Sequence, residues 1–228
     1  MPTIILIHGI SDQPRDWAVK ASQHLSQFGK VIPFQWDDIL NSHVQTPLVQ
    51  AGSDVSKAVT FFVPKWKIAD IVLRWTLDRG LDLLGYANVK HRAFQRLETI
   101  LGSVTGDVII VGHSLGSVLA YEYLTVVDRY GESKVSKFIS LGSPLDRQPV
   151  KGRVLKSVQG VDHLPVAWLN VWGTLDPVVC WLPLIKNNGA MQTFKPSEQR
   201  RLIGHAHGLD GYVESLRRED FEDTSRSV

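Results

Sequence analysis

The chain has 228 residues, 43% of them hydrophobic and 21% charged, which fits one folded domain with a buried core and excludes a disordered or fibrous chain. Its 25 basic and 23 acidic residues leave a formal charge of +2 and are spread along the sequence, so no basic stripe marks a nucleic-acid surface. The single cysteine, Cys180, excludes an internal disulfide, and no Cys/His cluster has the spacing of zinc ligands.

Thr3 to Ile7 is a short run rich in β-branched residues closed by His8-Gly9, the pattern of a strand buried on both faces of a parallel sheet. No basic stretch precedes it and no small-residue cleavage site follows, so a secretion signal is not expected and the sequence reads as cytoplasmic. Asp16 to Phe28 carries Trp17, Ala21, Leu25 and Phe28 at helical spacing, with Gly29 as a stop. Lys30 to Trp36 reads as a second strand, with Pro33 arguing for a sheet edge or a bulge. The alternation continues with a helix near Val89 to Leu101, a strand Asp107 to Val111 and a helix Gly116 to Asp128. Strands Lys137 to Leu141 and Ala167 to Trp172 follow, then a closing helix near Leu209 to Arg217. Such alternation predicts an α/β fold, a mostly parallel central sheet with helices on both faces. The charged stretch Arg217 to Val228 is expected to fray.

One segment departs from this rhythm. About fifty residues from Asp37 to Tyr86 exceed any ordinary connection, so 37–87 reads as a helical insertion within a single 1–228 domain. Inside it, Trp66 to Leu84 predicts a helix whose polar residues Lys67, Asp70, Arg74, Asp78 and Asp82 form one narrow stripe. Pro64 and Gly85 suit its two ends. Three roles follow in order of preference: a helix packed on the domain, a lid over a cleft, and a membrane-surface helix, the last disfavoured because the stripe carries both signs. No apolar run nears the roughly 18 residues of a membrane span.

The chemistry concentrates where Asp107 to Val111 meets the next helix. Gly112-His113-Ser114-Leu115-Gly116 fits G-x-S-x-G, a strained strand-to-helix turn that projects a serine hydroxyl from the sheet edge, its glycines allowing close approach of helix and strand. A bare five-residue match is weak; a buried strand before it and an apolar helix after it make it specific. The first strand ends in His8-Gly9-Ile10, so the amides of Ile10 and Leu115 are candidates for an oxyanion hole, each donor contributing about 3 kcal/mol to transition-state binding. His8 and His113 read as packed loop and turn residues, Trp168 and Trp172 as core, and Cys180 as a small hydrophobe.

In order along the chain, HGI at 8–10, GHSLG at 112–116, LGSPL at 141–145, WGTLDPVV at 172–179 and HGLDGYV at 207–213 resemble the lipase/esterase branch of the α/β-hydrolase superfamily, the last two resembling its small bacterial members. The resemblance implies Ser114 as nucleophile, Asp176 as acid and His207 as base, and the chain order Ser, Asp, His agrees with it. Asp146, after the Gly-Ser-Pro turn, is the rival acid; Asp176 is preferred because it ends an apolar strand just before Pro177. His205 is the rival base, while His91 and His163 fall at the wrong places in the order.

A serine at the elbow excludes the dehalogenase and epoxide-hydrolase chemistries, which need a carboxylate there. The expected reaction is acyl transfer on a small-molecule ester, without metal or cofactor and without nucleic acid. Phe61, Phe62, Trp66 and Trp75 of the insertion suggest a site for a fatty or aromatic acyl chain. The same residues would serve a thioesterase, an amidase or a peptidase, and the contrasting expectation is a non-catalytic interaction protein on the same scaffold.

Overall fold

Apolar runs too short for helices pair into one sheet. The structure, a computed structural model, describes residues 1–9, 16–36, 38–39, 86, 89–126, 134–147, 150–158, 164–176, 178–179 and 190–222. The expected helix Trp66 to Leu84 with its flanking Pro64 and Gly85, the aromatics Phe61, Phe62 and Trp75, and Ile10, His163 and Cys180 lie outside the described residues.

The strands are β1 (Thr3–Ile7), β2 (Lys30–Phe34), β3 (Val108–His113), β4 (Val135–Leu141), β5 (Ala167–Gly173) and β6 (Glu198–Leu202). The helices are α1 (Trp17–Leu25), α2 (89–103), α3 (Leu115–Val126), α4 (Val150–Ser157) and α5 (Leu209–Glu214), followed by a 3₁₀ turn at Arg218–Phe221. Every strand pairing is parallel, in the order β2-β1-β3-β4-β5-β6. Pro33 therefore sits on an edge strand, opposite Leu6, where a missing ladder donor costs least.

The period of two along the strands divides the core. Ile4, Leu6, Ile109, Val111, Ile139, Leu141, Leu169 and Val171 share one buried cluster with Trp17, Ala21 and Leu25 of α1 and Tyr212 and Val213 of α5. Trp168, on the alternate register, stacks near Phe138 and Tyr121, so α3 lies on the other face, and Trp168 Nε1–H donates to Ser140 Oγ at 2.9 Å. With both faces covered, β1 and β3 contain no position that tolerates a charge. No helix among the described residues is long and apolar enough to cross a membrane.

The chain divides into two compact units, Met1–Gln35 with Leu97–Val228, and Trp36–Arg96. In the second, Trp36 meets Tyr86 edge-to-face at 6.0 Å, and Arg96 forms a bidentate pair with Asp38, both bonds 2.7 Å.

Three elements were not expected: β6, α4 and the 3₁₀ turn at Arg218–Phe221. β6 (EQRRL) alternates nothing apolar and is held through its backbone pairing with β5, and α4 buries only Val150 and Val154 around Gly152. The expectation of a frayed stretch after Arg217 is corrected for the residues up to 222. Phe221 stacks on Phe28 with centroids 4.5 Å apart, and the buried Asp220 accepts both Arg200 Nη1–H at 2.8 Å and the Arg217 amide at 2.8 Å, while Arg200 Nη2 also bonds it. Phe221 and Asp220 thus anchor a charged segment to the rest of the fold.

Candidate active site

The sheet order places a topological switch between β1 and β3, where chain connections depart in opposite directions and leave a crevice at the strand ends. Ser114 stands there, immediately after β3, and is 2% exposed. Its φ of +52° is the only positive value among the described non-glycine residues, the strained backbone that a tight strand-to-helix turn demands. The strain is held on both sides. The Ser114 amide donates to the Leu141 carbonyl at 2.9 Å, and its carbonyl accepts from the Ser117 amide at 3.0 Å and the Ser117 hydroxyl at 2.5 Å. Ser117 Oγ shares a further hydrogen bond with Ser143 Oγ at 2.7 Å, tying the Gly-Ser-Pro turn after β4 to the elbow.

The elbow glycines act by absence. A Cβ at Gly112 would lie 2.8 Å from Ser117 Cα, and one at Gly116 would strike the carbonyls of Ile7 and His8. Only without those atoms can α3 start against the end of β1. Gly9 approaches from β1, where a Cβ would sit 2.7 Å from Ser114 Cβ and 3.2 Å from its Oγ. The end of β1 thus borders the serine hydroxyl, while Ile10, one of the two expected oxyanion donors, lies outside the described residues. Leu115, the other, is the first residue of α3, so its amide precedes the helix's own hydrogen-bond ladder.

Asp176 follows β5 and is completely buried. Oδ1 accepts the amides of Val178 at 2.8 Å and Val179 at 3.4 Å, while Oδ2 lies 2.8 Å from His207 Nδ1 and 2.5 Å from the Tyr212 hydroxyl that donates to it. The His207 ring is 4.7 Å from that of His113, the residue before Ser114. The chain thus brings Asp176 and His207 into a hydrogen-bonded pair beside the elbow. Gly142 (φ +54°) makes the room: a Cβ there would come within 2.8 Å of Asp176 Oδ2 and 3.1 Å of His207 Nδ1.

The rival acid, Asp146, is bonded to another segment. Asp146 accepts the amides of Gln192 at 2.5 Å and Thr193 at 3.2 Å, with Lys151 at 3.6 Å. The carbonyl of His205 accepts the Leu175 amide at 3.1 Å, and its ring lies against Gly211 and Tyr212. His8 is buried, with Nδ1 against the Gly9 carbonyl and its ring 4.4 Å from Trp17.

A pH-dependent consequence attaches to Asp146. Burial pushes its carboxyl up, but the amides of Gln192 and Thr193, the Thr193 hydroxyl and Lys151 outweigh it and hold the group below its ordinary value. A carboxyl depressed by folding stabilises the protein above its unfolded value, about 3.9, and that contribution fades as the pH falls through the folded value. Asp146→Asn is expected to cost about 1 kcal/mol at pH 7, with the gap to the unmodified protein closing below about pH 4 in urea melts. A gap that persists in acid would show that the carboxylate charge contributes nothing there.

A family model for the PGAP1-like alpha/beta domain matches residues 3–165, more than two thirds of the chain. The chain belongs to this family. The PGAP1-like match runs from β1 through Ser114 and the Gly-Ser-Pro turn, and Asp176 and His207 lie beyond it. In solved structures, ClbQ from the colibactin NRPS/PKS pathway is similar over 94% of this chain and 95% of its own, at 13% identity and a TM-score of 0.52. A protein of the α/β-hydrolase superfamily from Xanthomonas campestris pv. campestris is similar over 100% of both chains, at 13% identity and a TM-score of 0.50. These likenesses show the fold alone: the PGAP1-like chain has the α/β-hydrolase fold that the motifs implied. No curated protein matches its sequence.

Sequence reasoning did not single out Gly9, Gly142, Ser117 or Tyr212. Gly142 and Tyr212 stand inside the resembling motifs, but spacing alone does not reveal which side chain a missing Cβ accommodates or where a phenol points.

Proposed function

We propose that this chain is a serine hydrolase that cleaves carboxylic esters through an acyl-enzyme on Ser114. The observation that carries the reading is the Asp176–His207 pair, 2.8 Å apart, with its imidazole against His113 at the strained elbow of Ser114.

In this reading Asp176 holds His207 as the tautomer with its proton on Nδ1, leaving Nε2 to take the Ser114 proton as Oγ attacks the carbonyl carbon. The C=O π electrons move to oxygen, where the amides of Leu115 and Ile10 stabilise the anion. Collapse expels the alcohol, protonated by His207, and forms the acyl-enzyme. Water, deprotonated by the same imidazole, then releases the acid and restores Ser114. An ester is taken over an amide because its carbonyl is the more electrophilic and an alcohol leaves more readily than an amine, and the apolar, aromatic sequence of the insertion suggests a fatty or aromatic acyl group.

A fluorophosphonate probe is expected to label the intact protein, with the adduct mapping by mass spectrometry to Ser114. p-Nitrophenyl esters of increasing chain length are expected to turn over faster than the matching anilides. Turnover of thioesters or amides alone would keep the nucleophile and replace the substrate class. Neither label nor turnover would leave the chain as a non-catalytic member of its fold.

A further inference from the structure

The mechanism above gives no task to Tyr212, yet its hydroxyl meets the same carboxylate oxygen as the His207 imidazole. Tyr212 is completely buried, and its Oη lies 2.5 Å from Asp176 Oδ2. The direction of that bond is set by β5, since the Gly173 amide donates to Oη at 2.8 Å and a protonated amide nitrogen accepts nothing in return. The phenol proton is therefore directed to the carboxylate. Among the described residues, Asp176 accepts from two backbone amides on Oδ1 and from this phenol and the imidazole on Oδ2.

One short segment delivers both Oδ2 partners. His207 precedes α5, Gly208 enters the helix with an extended backbone (φ −89°, ψ +130°), and the Tyr212 amide donates to the Gly208 carbonyl at 3.2 Å. Gly142 underlies the junction: a Cβ there would lie 2.8 Å from Asp176 Oδ2, 2.9 Å from Tyr212 Cε2 and 3.1 Å from His207 Nδ1. Carboxylate, phenol and imidazole converge over this one glycine.

We infer that Tyr212 is a positioning residue acting through Asp176: its hydroxyl fixes Oδ2 toward His207 and withdraws charge from that oxygen, making the imidazole a weaker base than an unshared carboxylate would. The inference rests on the reading of His207 as the base. Among the described residues, other titratable groups stand on the elements around the junction or on the rival carboxylate. His113 faces the imidazole at 4.7 Å, and the rings of His113 and His205 lie 5.9 and 6.3 Å from Tyr212. Asp210 and Glu214 of α5 pair with Lys20 at 3.4 and 2.9 Å, and Asp146 is bound to the amides of Gln192 and Thr193.

Two variants of the full chain test this with opposite signs. Tyr212→Phe removes the donor, so kcat is expected to fall about 10-fold, and the acid limb of kcat/KM moves to higher pH because an unshared Oδ2 favours the imidazolium. Replacement of Tyr212 by 3-fluorotyrosine keeps the ring and makes the phenol a stronger donor, so the limb moves to lower pH. An NMR titration of the His207 ring is expected to move in the same two directions without any substrate. If Tyr212→Phe does not fold, the sign seen with fluorotyrosine decides alone. A limb and a titration unmoved in both proteins, or displaced the same way in both, overturns the inference and leaves Tyr212 a packing residue. Absence of all turnover with a titration that still moves would instead remove the hydrolase reading and leave the coupling intact.

Discussion

Ser114→Ala is expected to lower kcat for ester hydrolysis by about 10⁶-fold, leaving a rate still roughly 10³-fold above water from substrate binding and the oxyanion amides. The size follows from what is removed: the only atom that bonds to the substrate in the proposed acyl-enzyme. The fold has little reason to suffer. Two hydrogen bonds that hold residue 114 run through its backbone, from its amide to the Leu141 carbonyl at 2.9 Å and from the Ser117 amide to its carbonyl at 3.0 Å, and alanine keeps both. Alanine also inherits the strained φ of +52°, so strain is unchanged. Melting within about 0.5 kcal/mol of the unmodified protein is therefore expected beside the lost rate, which separates chemistry from unfolding. Ser114→Gly is equally inactive and relieves the strain, and it is expected to melt higher. A variant lacking the hydroxyl that still hydrolyses esters within tenfold of the original would remove Ser114 from the mechanism.

How far the sequence discloses this arrangement depends on whether a residue acts by its own character or by what surrounds it. Ile4 to Ile7 reads as an inner strand because every side chain is apolar, and burial on both faces leaves no alternative. The elbow is legible because Gly112 and Gly116 flank Ser114 at the spacing the turn requires, and the observed clashes at both positions show why. Glu198 to Leu202 is not legible, since its strand is made by backbone bonds to β5 and its side chains are largely polar. The stretch after Arg217 misleads in the same way: composition predicts fraying, whereas Phe221 finds Phe28 and Asp220 finds Arg200, partners nearly two hundred and about twenty residues away along the chain. The site divides likewise. The proposed nucleophile follows from the G-x-S-x-G turn, and Asp176 and His207 from the family resemblance with the chain order in agreement, while Gly142 and Tyr212 matter only through convergence in space.

Asp176→Asn is expected to reduce kcat by about 10⁴-fold. The amide cannot satisfy both ends of its site. Oδ1 of the native carboxylate accepts the Val178 amide at 2.8 Å and the Val179 amide at 3.4 Å, so the asparagine oxygen belongs there. Its NH₂ then faces His207 Nδ1 and the Tyr212 hydroxyl, where the native oxygen accepts both. Donating to Nδ1 forces the imidazole proton onto Nε2, the nitrogen that must accept from Ser114, so the base is held in the wrong tautomer. The reverse orientation sets the NH₂ against two backbone donors, each left unsatisfied at about 1–3 kcal/mol. Either choice disables the pair, and part of the cost appears as stability. The comparison with the rival carboxylate makes the result decisive. Asp146→Asn alters a group bound to the Gln192 and Thr193 amides, so its activity is expected within about twofold of the original. Activity lost in the residue 146 variant and kept within tenfold in the residue 176 variant would reverse the assignment of the acid.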